Sequence, residues 1–114
     1  MDAVAWGRVL RLLGLGVRGR LAVSGVERVR EAAQRGTLLL AVVAPDASRH
    51  SRDKVLPLLA AKGVTVLQGP SASELGAVVG KDATTAIGVT DRDLARGIRQ
   101  AAGPASSGDE IGAP

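Results

Sequence analysis

The run Thr37-Leu38-Leu39-Leu40-Ala41-Val42-Val43-Ala44 constrains the fold more than any other stretch of the chain. It is continuously apolar and is closed by Gly36 and Pro45. It is far too short to span a bilayer as a helix, and it suits a strand. Without polar alternation, both of its faces must be buried. A sheet built around it therefore needs helices above and below.

The flanking sequence supplies them. Residues 3–13 read as an amphipathic helix, with Val9, Leu10, Leu12 and Leu13 apolar, Arg8 and Arg11 solvated, and Gly14 and Gly16 as its stop. Leu21-Ala22-Val23 is a short strand. Ser24-Gly25-Val26-Glu27 matches a capping box, with Ser24 as N-cap and Glu27 reaching back, and the helix it opens runs to about Arg35. Ser48 to Arg52 reads as a polar turn, and Asp53 to Lys62 as a helix that carries Pro57 near its first turns. Val64 to Leu67 is a strand. Ser71-Ala72-Ser73-Glu74 is a second capping box, for a helix to about Val79. Thr84 to Val89 is the fourth strand, and Thr90-Asp91-Arg92-Asp93 caps a last helix to about Ala101. The order αβαβαβαβα predicts a three-layer α/β/α sandwich around a small four-stranded mixed sheet.

A chain of 114 residues is long enough for one domain. With no Phe or Tyr and a single Trp, its core must be made of Val, Leu, Ile and Ala. Residues 1–102 form the expected domain. Residues 103–114, rich in Gly, Pro and Ser without apolar period, read as a disordered tail. Arg8 and Arg11 interrupt the apolar start, which argues against a signal peptide, and no apolar run approaches membrane length. A cytoplasmic protein with no membrane partner is the expectation.

The chemistry legible in the residues is mostly exclusion. There is no cysteine, so disulfides, thiolate metal sites and Cys nucleophiles are ruled out. The single histidine, His50, reads as a solvated loop residue. Ser48, Ser51, Asp46 and Asp53 stand too close to it in sequence to converge as a nucleophile, base and orienter would. No spacing of metal ligands is found, and no cofactor is expected. Gly14-Leu15-Gly16-Val17-Arg18-Gly19 spells the dinucleotide fingerprint, but it follows a helix and precedes a strand. That order is the reverse of what a pyrophosphate on a helix N-terminus needs. An enzyme is not indicated.

The formal charge of +4 favours polyanions moderately. Arg18 and Arg20 flank the turn before the first strand, and Arg28 and Arg30 lie in the first turns of the following helix. Such a helix start attracts phosphate through free N–H groups, and Gly25 lets a backbone approach closely. A capped surface helix with solvated charges accounts for the same residues. Glu27 is likewise explained either by its cap or by a contact with a ligand.

Four pieces carry a resemblance. They are Ser24-Gly25 ahead of a helix, Ala44-Pro45-Asp46-Ala47-Ser48, Glu74-Leu75-Gly76 followed by Gly80-Lys81, and Val89-Thr90-Asp91. In that order and spacing, from about Leu12 to Ile98, the chain resembles the ribosomal L-seven-Ae family, and most of all its bacterial YlxQ-like members. The resemblance implies the α/β/α fold and binding of structured RNA, ribosomal or kink-turn-containing, with ribosomal or other translation proteins as further partners. It places the contacts at the start of the helix after the first strand, here Arg18, Arg20, Ser24, Gly25, Glu27, Arg28 and Glu31. A second contact comes from the loop Lys81-Asp82-Ala83-Thr84. The family's kink-turn readers carry an Asn-Glu pair two residues after the motif glycine and a Lys three positions beyond the Glu. This chain has Glu27, Arg28 and Glu31 there. The same fold could also serve as a protein-interaction adaptor, with kink-turn binding lost.

Overall fold

A computed structural model describes residues 2–103; the expected tail from residue 104 onward lies outside the described residues. The elements are α1 (Ala3–Arg18), β1 (Ala22–Ser24), α2 (Val26–Arg35), β2 (Leu40–Val43), α3 (Arg49–Ala61), β3 (Thr65–Gln68), α4 (Ala72–Val78), β4 (Ala86–Val89) and α5 (Arg92–Ala102). The strands form a four-stranded sheet in the order β1-β4-β2-β3. β4 runs antiparallel to both β1 and β2, and β3 runs parallel to β2. The mixed sheet and the alternation of elements are those expected.

β2 is buried along its whole length, as its unbroken apolar run requires. Its side chains alternate between two cores. Leu40 and Val42 join Ile87 and Val89 of β4 under Val9 and Leu13 of α1, Leu75 of α4, and Ala95 and Ile98 of α5. Ala41 and Val43 join Ala86 on the opposite face, under Val29, Ala32 and Ala33 of α2 and Val55 and Leu59 of α3. Both cores are aliphatic throughout. Trp6 packs at the margin of the first, against Gly69.

Three local expectations are corrected. Gly14 and Gly16 do not end α1, which continues to Arg18. Both are buried at helix crossings. A Cβ at Gly14 would sit 3.1 Å from the Val78 carbonyl oxygen, and one at Gly16 would run into Leu94 Cδ2. Close approach of α4 and α5 outweighs the cost of about 1 kcal/mol that each glycine imposes on a helix interior. The fingerprint-like glycines thus lie in α1 and at its cap, with no loop to cradle a phosphate.

Second, Ser48 to Arg52 is not a turn. Ser48 caps α3, its Oγ accepting from the Ser51 N–H at 3.1 Å, so Arg49, His50, Ser51 and Arg52 form the first turn of the helix. Pro57 consequently lies more than two turns inside α3, on an exposed side. Third, β2 begins at Leu40, although Leu39 still donates to the Val89 carbonyl at 2.8 Å. Thr37 to Leu39 form the approach to the strand, with Leu38 buried and Leu39 exposed.

A candidate nucleic-acid interface

The site lies where β1 ends and β4 begins. Gly25 donates its N–H to the Ala86 carbonyl at 2.9 Å, and Thr90 donates to the Leu21 carbonyl at 3.0 Å. Alternation along the antiparallel pair turns the backbone groups of Ala22 and Ser24 away from β4, towards the unpaired edge of the sheet.

The start of α2 differs from expectation. Ser24 is the last residue of β1, and Gly25 is the N-cap, with φ 100° and ψ 152°. No side chain caps the helix. Ser24 has strand geometry because pairing with Ile87 claims it, and its Oγ instead accepts from Lys81 Nζ at 3.4 Å. With Gly25 as the cap, the acidic position of a capping box falls on Arg28, so Glu27 cannot reach back. Glu27 is exposed and makes no hydrogen bond or ion pair among the described residues. By contrast, α1, α3, α4 and α5 each begin with a side-chain cap, from Asp2, Ser48, Ser71 and Asp91. Ser71 and Glu74 form the full capping box expected of them. The first-turn N–H groups of α2 are therefore left to solvent or a ligand, at the positive end of the helix dipole.

Arginines surround this start. Arg28 and Arg20 are exposed and line an open groove of about 450 Å³ with Val17, Ala22, Val23 and Ser24. Arg28 also borders a second groove of about 480 Å³, along α2, which contains Glu27, Glu31 and Arg35. Glu31 there is 3.8 Å from Arg35.

Arg20 holds its place at a cost. After α1, Leu21 donates to the Gly16 carbonyl at 2.7 Å and Arg20 donates to the Val17 carbonyl at 3.2 Å. This is the Schellman arrangement, whose left-handed position is usually glycine. Here Arg20 occupies it, with φ 63°. A non-glycine residue there is disfavoured by roughly 1–2 kcal/mol. Arg18, at the last turn of α1, is also exposed.

The second predicted segment is brought to the first. Lys81 donates its backbone N–H to Gly76 at 2.8 Å, and Thr84 donates to Ala72 at 3.0 Å, so the loop is laid along α4. Its other end is fixed by Ala44, which donates to the Thr85 carbonyl at 2.8 Å. Lys81, Asp82 and Ala83 are exposed, whereas Thr84 is 8% exposed and faces inward as a support. The Lys81–Ser24 contact joins segments 57 residues apart.

Two supporting residues escaped the sequence reading. Gly76 lets the loop touch α4: a Cβ there would lie 2.6 Å from both N and Cα of Ala83. Asp46 accepts from the Ala72 N–H at 2.8 Å and so pins the start of α4. The only sequence signal for either was its place in the motifs Glu74-Leu75-Gly76 and Ala44 to Ser48. His50 is exposed on α3, and among the described residues no group of His, Cys, Asp and Glu could hold a metal ion. No helix among them is long and apolar enough to cross a membrane.

The small α/β/α sandwich thus presents an uncapped helix start with Arg20 and Arg28 beside it and a lysine-bearing loop against it. The chain belongs to the ribosomal protein L7Ae/L30e/S12e/Gadd45 family, whose sequence profile matches residues 9–100. Among solved structures, it is similar to a protein of unknown function from Bacillus halodurans C. The two share 30% identity and a TM-score of 0.75, over 85% of this chain and 98% of the other. It is also similar in fold to the Giardia lamblia 15.5kD RNA binding protein, with 19% identity and a TM-score of 0.77, over 95% of this chain and 92% of the other. No curated protein matches the chain.

Proposed function

We propose that this chain is an RNA-binding protein of the YlxQ-like branch of its family, cytoplasmic and associated with ribosomes or translation. Residues 1–102 act as the RNA-binding domain on structured, kink-turn-like RNA. Ribosomal or other translation proteins are further partners. The observation that carries this reading is the start of α2. Its N–H groups lack a side-chain cap, and Arg20, Arg28 and Lys81 stand around them. Backbone donors at a helix start bind phosphate, and arginine adds charge and bidentate donors for phosphate or guanine. Family membership and the RNA-binding neighbour support the same assignment. RNA is read at bends and unstacked bases, which a protruding helix start and loop can reach.

Arg28 sits where the family's kink-turn readers have Glu, and Glu31 sits where they have Lys. Glu31 lies 3.8 Å from Arg35, so a positive charge stands beside it. The free carboxylate of Glu27 in the second groove favours one other reading, a protein-interaction adaptor.

Fluorescence anisotropy against a kink-turn RNA and an unrelated hairpin, at two salt concentrations, separates these readings. RNA binding predicts that Arg28→Ala weakens affinity and reduces the salt slope by about 1. The adaptor predicts no binding by the wild type. Arg20→Gly gives a second, opposed pair of effects. It should stabilise the fold by roughly 1 kcal/mol, because glycine suits the left-handed position, while weakening RNA binding. Loss of stability in urea titration, or unchanged RNA affinity, would show that Arg20 is not held there for binding.

A further inference from the structure

We infer that the solvent face of α1 is a second RNA-contact surface, a track for the phosphodiester backbone as it leaves the site at α2. The inference rests on the RNA-binding reading above. Val4, Arg8, Arg11, Leu15 and Arg18 follow one another at intervals of four, three, four and three residues, which places them on one stripe. All five are exposed, Val4 at 65% and Leu15 at 52%. Val9, Leu13 and Gly16, on the opposite side of the helix, are buried and carry its packing on the core.

α1 contains no acidic residue. Arg8, Arg11 and Arg18 make no ion pair or hydrogen bond among the described residues. Six of the other arginines are engaged, Arg35, Arg49 and Arg96 with carboxylates and Arg30, Arg52 and Arg99 with backbone carbonyls, whereas the side chains of Arg20, Arg28 and Arg92 have no such partner among the described residues. Like charges at such spacing repel one another and destabilise a helix slightly. A ligand bearing regularly spaced negative charge relieves that repulsion.

The stripe is continuous with the site. Arg18 is two residues from Arg20, and its guanidinium lies 3.8 Å from the point a Cβ of Gly14 would occupy, beside Val78 at the end of α4. From Val78 the chain passes through Gly80 to Lys81. Arg8 and Arg18 are separated by about 15 Å along the helix. Lys81, Arg28, Arg20, Arg18, Arg11 and Arg8 thus form one basic band. Val4 and Leu15 are too few and too far apart to make the clustered apolar anchor of a protein interface or the apolar face of a membrane-bound helix. The charge favours nucleic acid.

The test uses a kink-turn RNA with short stems, and the same RNA with each stem in turn lengthened by a full helical turn. Affinities are measured over a salt series for wild type and for the double variant Arg8→Gln/Arg11→Gln, whose helix content is checked by circular dichroism. Wild type should bind one of the lengthened RNAs more tightly, with a salt slope steeper by about 1.5. The double variant should lose that gain and bind the short RNA within about twofold of wild type, since a short stem ends before it reaches Arg11 and Arg8 and no phosphate contact is lost there. Equal wild-type binding of short and lengthened RNAs would overturn the track and leave the site at α2 standing, with the stripe then free for a protein partner. Equal loss by the variant on short and lengthened RNA would overturn it also. Failure of wild type to bind any of these RNAs would remove both the track and the RNA-binding reading.

Discussion

Gly76→Ala should destabilise the protein by about 1–3 kcal/mol and displace the loop that bears Lys81. The added Cβ would meet backbone, not a flexible side chain: the N and Cα of Ala83 at 2.6 Å and the Lys81 carbonyl oxygen at 2.8 Å. Neither helix nor loop can yield alone. The loop is tied to α4 by Lys81 donating to Gly76 and Thr84 donating to Ala72, and β4 follows at once. The loop must lift, which draws Lys81 from Ser24 and opens the junction of the two segments. A urea titration should register the stability loss, and RNA affinity measured well below the midpoint should fall by at least about tenfold, or 1.4 kcal/mol. An alanine variant with wild-type stability and affinity would mean that the loop's seat on α4 is immaterial to binding.

Gly25→Ala acts on the other half of the site and through conformation alone. No atom lies within 4 Å of the added Cβ, so sterics with neighbours play no part. The backbone at φ 100° and ψ 152° is in a region that essentially only glycine occupies. Holding alanine there costs about 1–3 kcal/mol. The chain can escape only by turning the peptide before Val26, which re-aims the first N–H groups of α2. RNA affinity should therefore fall along with stability. Replacement by a D-alanine through peptide ligation should restore both, because a D-residue accepts positive φ. If Gly25→Ala loses stability but binds RNA normally, the N–H groups at the start of α2 are not ligand donors.

Much of the architecture was legible because α4 and α5 begin at real capping residues within the segments read as caps, and because β2 cannot be solvated on either face. The errors have a common origin in contacts distant in sequence. Gly14 and Gly16 look like a helix stop, and only the approach of Val78 and Leu94 makes them packing positions. Ser24 looks like a cap, but its pairing opposite Ile87 assigns it to the strand. Arg49 to Arg52 show no apolar periodicity, because the first turn of α3 projects into solvent or lies only half-buried. At the site, Arg28 was marked by its charge in the first turns of α2, and the loop 81–84 was found through family resemblance. Their union through Lys81 and Ser24 could not be, since it depends on the β1–β4 pairing. Arg20 was chosen for its charge. Its left-handed backbone, which sets it apart from an ordinary surface arginine, is invisible next to Gly19, the residue better suited to that conformation.

The most direct measurement of where RNA sits is an amide NMR titration of the protein with a kink-turn RNA at moderate salt. The N–H signals of Ser24, Gly25, Val26, Glu27 and Arg28, together with those of Lys81, Asp82 and Ala83, should shift most, and in proportion to RNA bound. Shifts confined to the far end of the sheet, around Leu39, Arg92 and Arg99, or no shifts at all, would contradict the assignment of RNA binding to the start of α2 and its neighbouring loop.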